Sequence, residues 1–354
     1  MEQLPPLGLD PIVTVVIPCL NEKHHVDRCV QDVMAQDYPP HLLEVIIADG
    51  GSTDGTRERL DSLSGDNPRM RWIDNPGKLQ SAGLNAAIRV ARGDIIIRLD
   101  AHCECARDYV RQSVMVLRET GAWNAGGSQR GKPQNPFQHA FCAALRSRLA
   151  MGGAAYRHPG AEGFVDTVFC GAFRREVFEL AGAFDPAAIT NEDAELNQRI
   201  LECGGHIYLS PRIITHYYPR RDILEVARQY FRYGQRRART LLKRGRFPRI
   251  TPAIPFLATC VGALLVATKP FAPVTWLVFG IYAVICLVEA VRVALPIGLR
   301  AIPMVWAVFP TIHVSHGIGF AAGLIRYLLR PDWSRTPEYL PERLAIAATG
   351  VTEE

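Results

Sequence analysis

Asp100-Ala101-His102 sets a carboxylate and an imidazole one residue apart, directly after the apolar run IIIRL at 95–99. Two such groups at a strand's end can reach one cation. Asp offers a hard oxygen suited to Mg2+ or Mn2+, and His is better tolerated by Mn2+. A cation there would bridge the phosphates of a nucleotide and neutralise a departing diphosphate. Glu192-Asp193, in ITNEDAELNQRI, opens a helix after a polar turn. Asp193 is the candidate general base, taking a proton from an attacking hydroxyl. A base on one face of an acetal carbon and a bound diphosphate on the other would invert the anomeric centre. Asp49, followed by Gly50 and Gly51, can accept a hydrogen bond from a base or sugar hydroxyl, and the glycines allow close approach of a ligand. Asp54 fits a helix cap better. Lys78, after Pro76-Gly77, can offer an ammonium to a phosphate. Cys103 and Cys105 beside His102 raise a zinc reading, but no second ligand cluster lies near them in sequence.

Placing these groups together requires a strand-and-helix frame. VTVVIP (13–18), LEVIIAD (43–49) and IIIRL are short, β-branched and apolar, and each stops in a polar turn. Alternating with helix-length segments, they predict βα units around a buried parallel sheet, whose ligands gather beyond the carboxyl ends of the strands. Helices are expected at 21–36, 54–63, 80–91, 107–119 and 191–203, with a short strand at 70–73 and a strand and helix within 167–182. Residues 124–165, rich in Gly and Pro, read as mobile segments beside the site.

Composition divides the 354 residues unevenly. Eleven Arg and Lys between Arg220 and Arg249 face only Asp222 and Glu225, a local excess of nine; with +5 overall, the remainder carries −4. Apolar residues at helical spacing over 222–243 predict a basic amphipathic helix in a membrane interface. No nucleic-acid module accompanies it, so nucleic acid is not expected as a partner. Apolar segments at 253–268, 272–295 and 301–329 follow; about 20 residues span a bilayer, so two to three crossings are expected. The positive belt places the part before residue 253 in the cytoplasm of a multi-pass membrane protein. Nine scattered cysteines fit a reducing compartment, and the first eleven residues predict no cleaved signal.

In order and spacing, VVIPCLNE, IIADGGSTDGT, the D-x-D-like DAH and the NED triplet resemble glycosyltransferase family 2, inverting enzymes of the GT-A fold. CGAFRREVF, Gln229-Tyr230-Phe231-Arg232-Tyr233 and HVSHGIGF (313–320) are similar to bacterial membrane-bound exopolysaccharide glucosyltransferases of the succinoglycan type. The resemblance implies a Rossmann-like mixed α/β sheet flanked by helices at 1–219. An interfacial helix at 220–250, a membrane region at 251–330 and a tail at 331–354 would follow. It implies a UDP-sugar donor, glucose first, and a polyprenyl-diphosphate-linked glycan as acceptor, with other polysaccharide-assembly proteins as further partners. Pro18, Asn21, Glu22, Asp49, Lys78 and Asp100 would hold the nucleotide sugar. Asp100 and His102 would hold Mn2+ or Mg2+, and Asp193 would be the base. Glu192, Gln229, Arg232 and Tyr233 would serve the acceptor or diphosphate. Tyr233 stands where processive relatives carry Trp, and His102 where the second Asp is usual. A polyprenyl-phosphate sugar synthase is the alternative; a non-catalytic membrane nucleotide sensor is the remote one.

Overall fold

Buried β-branched runs build the centre of the chain. In the computed structural model, which describes residues 4–151, 155–158, 160–186, 192–244, 253–268 and 272–331, two units separate. Asn191, residues 245–250 of the basic belt and all but Pro331 of the expected tail lie outside the described residues.

The first unit takes residues 1–130 and 155–217 of the described chain. Its elements begin β1 (Val13–Cys19), α1 (Val26–Met34), β2 (Leu43–Asp49), α2 (Thr56–Asp66), β3 (Met70–Asp74), α3 (Gln80–Val90) and β4 (Ile95–Arg98). The chain continues through β5 (Glu104–Cys105), α4 (Tyr109–Thr120) and β6 (Asn124–Gly131). Two short helices, α5 (Pro136–Leu145) and α6 (Arg148–Met151), belong to the second unit. β7 (Gly163–Val165), β8 (Phe169–Arg174), α7 (Glu176–Leu180), α8 (Glu192–Glu202) and β9 (Ile207–Tyr217) complete the first.

The sheet order is β3-β2-β1-β4-β8-β6-β9-β5, with β7 also on β9. β3, β2, β1 and β4 are parallel, whereas β4 with β8 and β8 with β6 are antiparallel. Every residue of β2 is buried, as a strand covered on both faces must be. Alternation divides the core. Val13, Val15, Ile17, Val45, Ile47, Ile95 and Ile97 pack with Val26, Val30 and Val33 of α1, and Val16, Ile46 and Ile96 with Leu84 of α3 and Phe173, Phe178 and Phe184. Each such aliphatic side chain contributes about 1.5–3 kcal/mol by leaving water. The register Cys19↔Asp49↔Asp74 aligns the carboxyl ends of three neighbouring strands, and Val16 pairs with Arg98 on the other side. Everything after those residues therefore emerges along one edge.

The expected irregularity of 124–165 is corrected: β6, α5 and β7 lie there. In β6 the glycines serve close strand approach, since a Cβ on Gly127 would fall 1.6 Å from the Ile213 carbonyl oxygen. Asn135 and Gln138 form a reciprocal capping box with Pro136 at the first helical position of α5. β9, for which the sequence pattern gives no expectation, carries Pro211 inside it.

The second unit gathers residues 131–151 and 218–331 of the described chain. It adds α9 (Ile223–Arg244), α10 (Ile254–Ala267), α11 (Ala272–Ala294) and α12 (Ile302–Leu329). The apolar side of α9 lies against α12: a Cβ on Gly234 would come within 2.1 Å of the His316 carbonyl oxygen, and one on Gly319 within 2.0 Å of that of Phe231. Backbones approach this closely only through small residues. Two helical stretches, Ala272–Ile297 and Leu299–Leu329, are long and apolar enough to cross a membrane, and α10 is shorter. Trp276, Leu277 and Val288 stand exposed on α11, while His313 is held by Tyr282 (2.7 Å) and the Leu149 carbonyl (2.8 Å).

Candidate active site

Asp49 ends β2 fully buried, and donors surround it. Its carboxylate accepts from the amides of Gly51 (3.0 Å) and Ser52 (3.0 Å), the Ser52 hydroxyl, and Arg57 Nε at 2.6 Å. Burial alone would raise its pKa. The Ser52 hydroxyl and amide, with Arg57 and Gly51, outweigh that and hold it below the usual carboxylate range. Arg57 also reaches Asp74 at 2.6 Å and stacks over Trp72.

The loop after β1 is zipped to this turn. Asn21, at φ +56°, donates its amide to Ser52 Oγ (2.8 Å) and accepts from the Thr53 amide (2.9 Å). The Glu22 amide bonds Thr56 Oγ1, and Asp54 accepts from the amides of Lys23 and Thr56. Glu22 then points its carboxylate at His102 Nδ1, 3.2 Å away. Pro18 lies in β1 beside Ala48. Lys78 is exposed at φ +55°, and its side chain runs past Gly51, on which a Cβ would sit 3.9 Å from its Cε.

Arg98, the last residue of β4, organises the centre. It is 3% exposed and binds three carboxylates: Asp100 at 2.8 Å, Glu192 at 3.2 Å, and Asp193 in a short contact. Gln80, opening α3, donates to the same Asp100 oxygen at 2.8 Å. Burial of the guanidinium works to lower its pKa, but Asp100 and Glu192 more than reverse this and raise it. Among the described residues, Asp193 Oδ1 and Arg98 Nε are buried without hydrogen-bond partners. Such atoms are costly, and they concentrate where a ligand or substrate completes the set.

The turns carrying Asp100 and Asp193 thus meet around the guanidinium of Arg98, which lies 95 residues before Asp193 in the chain. The His102 side chain is 54% exposed and faces Glu22. Gln229, Arg232 and Tyr233 sit on α9 in the second unit, where Gln229 donates to the Tyr233 hydroxyl at 2.8 Å. Sequence reasoning passed over Arg98 and Gln80. The available signal was a lone charge ending an otherwise apolar strand, two residues before an acid.

A family model described as Glycosyl transferase family 2 covers residues 14–180. The succinoglycan biosynthesis protein ExoA of Rhizobium meliloti is 32% identical over 89% of this chain and 96% of its own length. A dolichyl N-acetyl-alpha-D-glucosaminyl phosphate 3-beta-D-2,3-diacetamido-2,3-dideoxy-beta-D-glucuronosyltransferase of Methanococcus voltae is 25% identical over 89% of the chain and 97% of its own. Among solved structures, a mannosyltransferase from Pyrobaculum calidifontis, in complex with GDP-Man and Mn2+, superposes with a TM-score of 0.63 at 21% identity, covering 91% of this chain and 89% of that one. The fold is accordingly of the GT-A kind, and this chain belongs to glycosyltransferase family 2.

Proposed function

We propose that this chain is a membrane-anchored inverting glycosyltransferase that moves one sugar from UDP to a hydroxyl of a polyprenyl-diphosphate-linked glycan in bacterial exopolysaccharide synthesis. Glucose is the leading sugar. The support that weighs most is the single guanidinium bonded to both Asp100 and Asp193. It ties the donor carboxylate and the base to one anchor.

Asp193 takes the acceptor hydroxyl's proton as the new C1–O bond forms opposite the breaking C1–O bond to diphosphate, whose electron pair leaves with UDP. Asp193 Oδ1, buried and without a partner among the described residues, is the oxygen that receives it. Asp193 otherwise bonds Arg98, which orients its carboxylate. Glu22, Asn21 and Pro18 line the nucleotide side. Asp49 shapes the Gly50–Gly51 turn and would contact the uracil or ribose, and Lys78 would meet a phosphate.

Asp100, Glu192 and Asp193 against Arg98 leave a net −2 in a nearly dry setting, which fits one divalent ion on hard oxygen ligands. Asp100 and His102 would hold Mn2+ or Mg2+, which when bound neutralises the diphosphate leaving group. Gln229, Arg232 and Tyr233 would engage the acceptor or its diphosphate, and α11 and α12 would span the bacterial inner membrane with the catalytic unit in the cytoplasm. The Methanococcus relative's name describes action on a lipid-phosphate-linked sugar, which favours elongation of such a carrier over synthesis of a simple lipid-phosphate sugar.

Incubating membranes containing the chain with labelled UDP-sugars and lipid-linked glycans tests the reading. An elongated glycan of inverted anomeric configuration, lost on chelation and restored by Mn2+, is expected. A sugar monophosphate lipid, a retained anomer or no transfer from any UDP-sugar would contradict it.

A further inference from the structure

Behind the Asp100 turn lie two thiols that the transfer chemistry leaves unused. Asp100, Cys103 and Cys170 each bring a ligand atom, and these lie within 4.8 Å of one another. The Cys103 amide bonds the Asp100 carbonyl at 2.9 Å, a turn that folds the thiol back beneath the carboxylate. Cys170 arrives from β8, 67 positions later in sequence, so no local motif announces it. It sits at φ +48°, an unusual conformation for a side-chain-bearing residue, with its carbonyl fixed by the Tyr109 hydroxyl at 2.8 Å. Both thiols are buried, at 3% and 0% exposure, while the Asp100 side chain retains 13%. Of the other nearby thiols, Cys105 accepts from Gln36 and Cys29 donates to the Asp100 carbonyl rather than its carboxylate.

We infer that Asp100, Cys103 and Cys170 form a site for a thiophilic divalent cation, Zn2+ or Cd2+, whose occupation withdraws Asp100 from the donor. The inference rests on the proposed donor role of Asp100. Tetrahedral zinc takes sulfur at about 2.3 Å and carboxylate oxygen at about 2.0–2.2 Å, so the three atoms need only a small contraction. Water supplies the fourth position through the exposed edge of Asp100. Binding releases two thiol protons. Two thiolates and one carboxylate then outweigh the ion by one negative charge, which Arg98, bonded to Asp100, balances. Soft sulfur selects this ion class over Mn2+ or Mg2+, so the two cations compete only through the shared carboxylate.

Full-length protein in detergent, kept reduced with a phosphine, is titrated with Cd2+ while sulfur-to-cadmium charge-transfer absorption is followed. One Cd2+ per chain is expected, with the band lost in Cys103→Ser and Cys170→Ser and kept in Cys29→Ser and Cys105→Ser. X-ray absorption of zinc-loaded wild-type protein needs no variant and should report two sulfur neighbours. Zn2+ should lower UDP-sugar binding at least tenfold, reversibly on chelation, in wild type but not in Cys170→Ser. No charge-transfer band, zinc with fewer than two sulfur neighbours, or a band unchanged in Cys170→Ser would overturn the site. Zinc loading that leaves donor binding unchanged would overturn the competition. Cadmium binding is read without transfer, so a wrong sugar or acceptor would leave that result standing.

Discussion

Two turns at the same sheet edge treat their carboxylates in opposite ways. After β2, one carboxylate, Asp49, receives hydrogen bonds from two amides, a hydroxyl and a guanidinium, and is fully buried. After β4, three carboxylates share one guanidinium, and polar atoms on both sides of the pairing are left unmatched. The first is an over-supplied structural joint. The second is under-neutralised, and a site that must accept a cation and a proton needs that deficit.

Breaking the second turn should cost most. Arg98→Gln leaves three acids facing one another in a nearly dry setting, and loss of a partner from a buried pair costs about 3–5 kcal/mol. A large drop in thermal midpoint is expected in differential scanning calorimetry, together with loss of transfer. A midpoint unchanged from wild type would show that Arg98 is not what balances the acids. Asp49→Asn should do less, about 1–3 kcal/mol, through donors left unmatched around the amide. The same variant sharpens the contrast by pH. Asp49 has a lowered folded pKa, so its contribution is full above the unfolded value of about 4 and fades as pH falls through the folded one. Wild type should therefore lose more stability than Asp49→Asn on acidification below about pH 4, which melting curves across that range would check. Asn135→Ala, far from either turn in the chain, removes the α5 cap and a bond to the Arg221 carbonyl, and about 1 kcal/mol is expected by denaturant titration.

The sheet was legible because β1, β2 and β4 are unbroken β-branched runs, and the acids were legible because each follows such a run or opens a helix. Arg98 was hidden by its company: an Arg at the end of a strand usually reaches water, and only the fold brings Glu192 and Asp193 onto it. β6 was missed because NAGGSQRG has the composition of a loop. Its glycines answer to neighbouring strands, which no local pattern records. The Asn135–Gln138 capping box starts a helix that the Gly and Pro around it conceal. Local propensity yields there to contacts made at a distance.

The central claim is that Asp193 and Asp100 face one reacting centre, the first as base and the second as donor ligand. Asp193→Asn keeps the shape of the side chain but cannot take a proton. Measured together on that variant, UDP-sugar affinity should stay within a few-fold of wild type, while the single-turnover rate of transfer falls about 10²–10⁴-fold. Transfer at the wild-type rate would contradict the account.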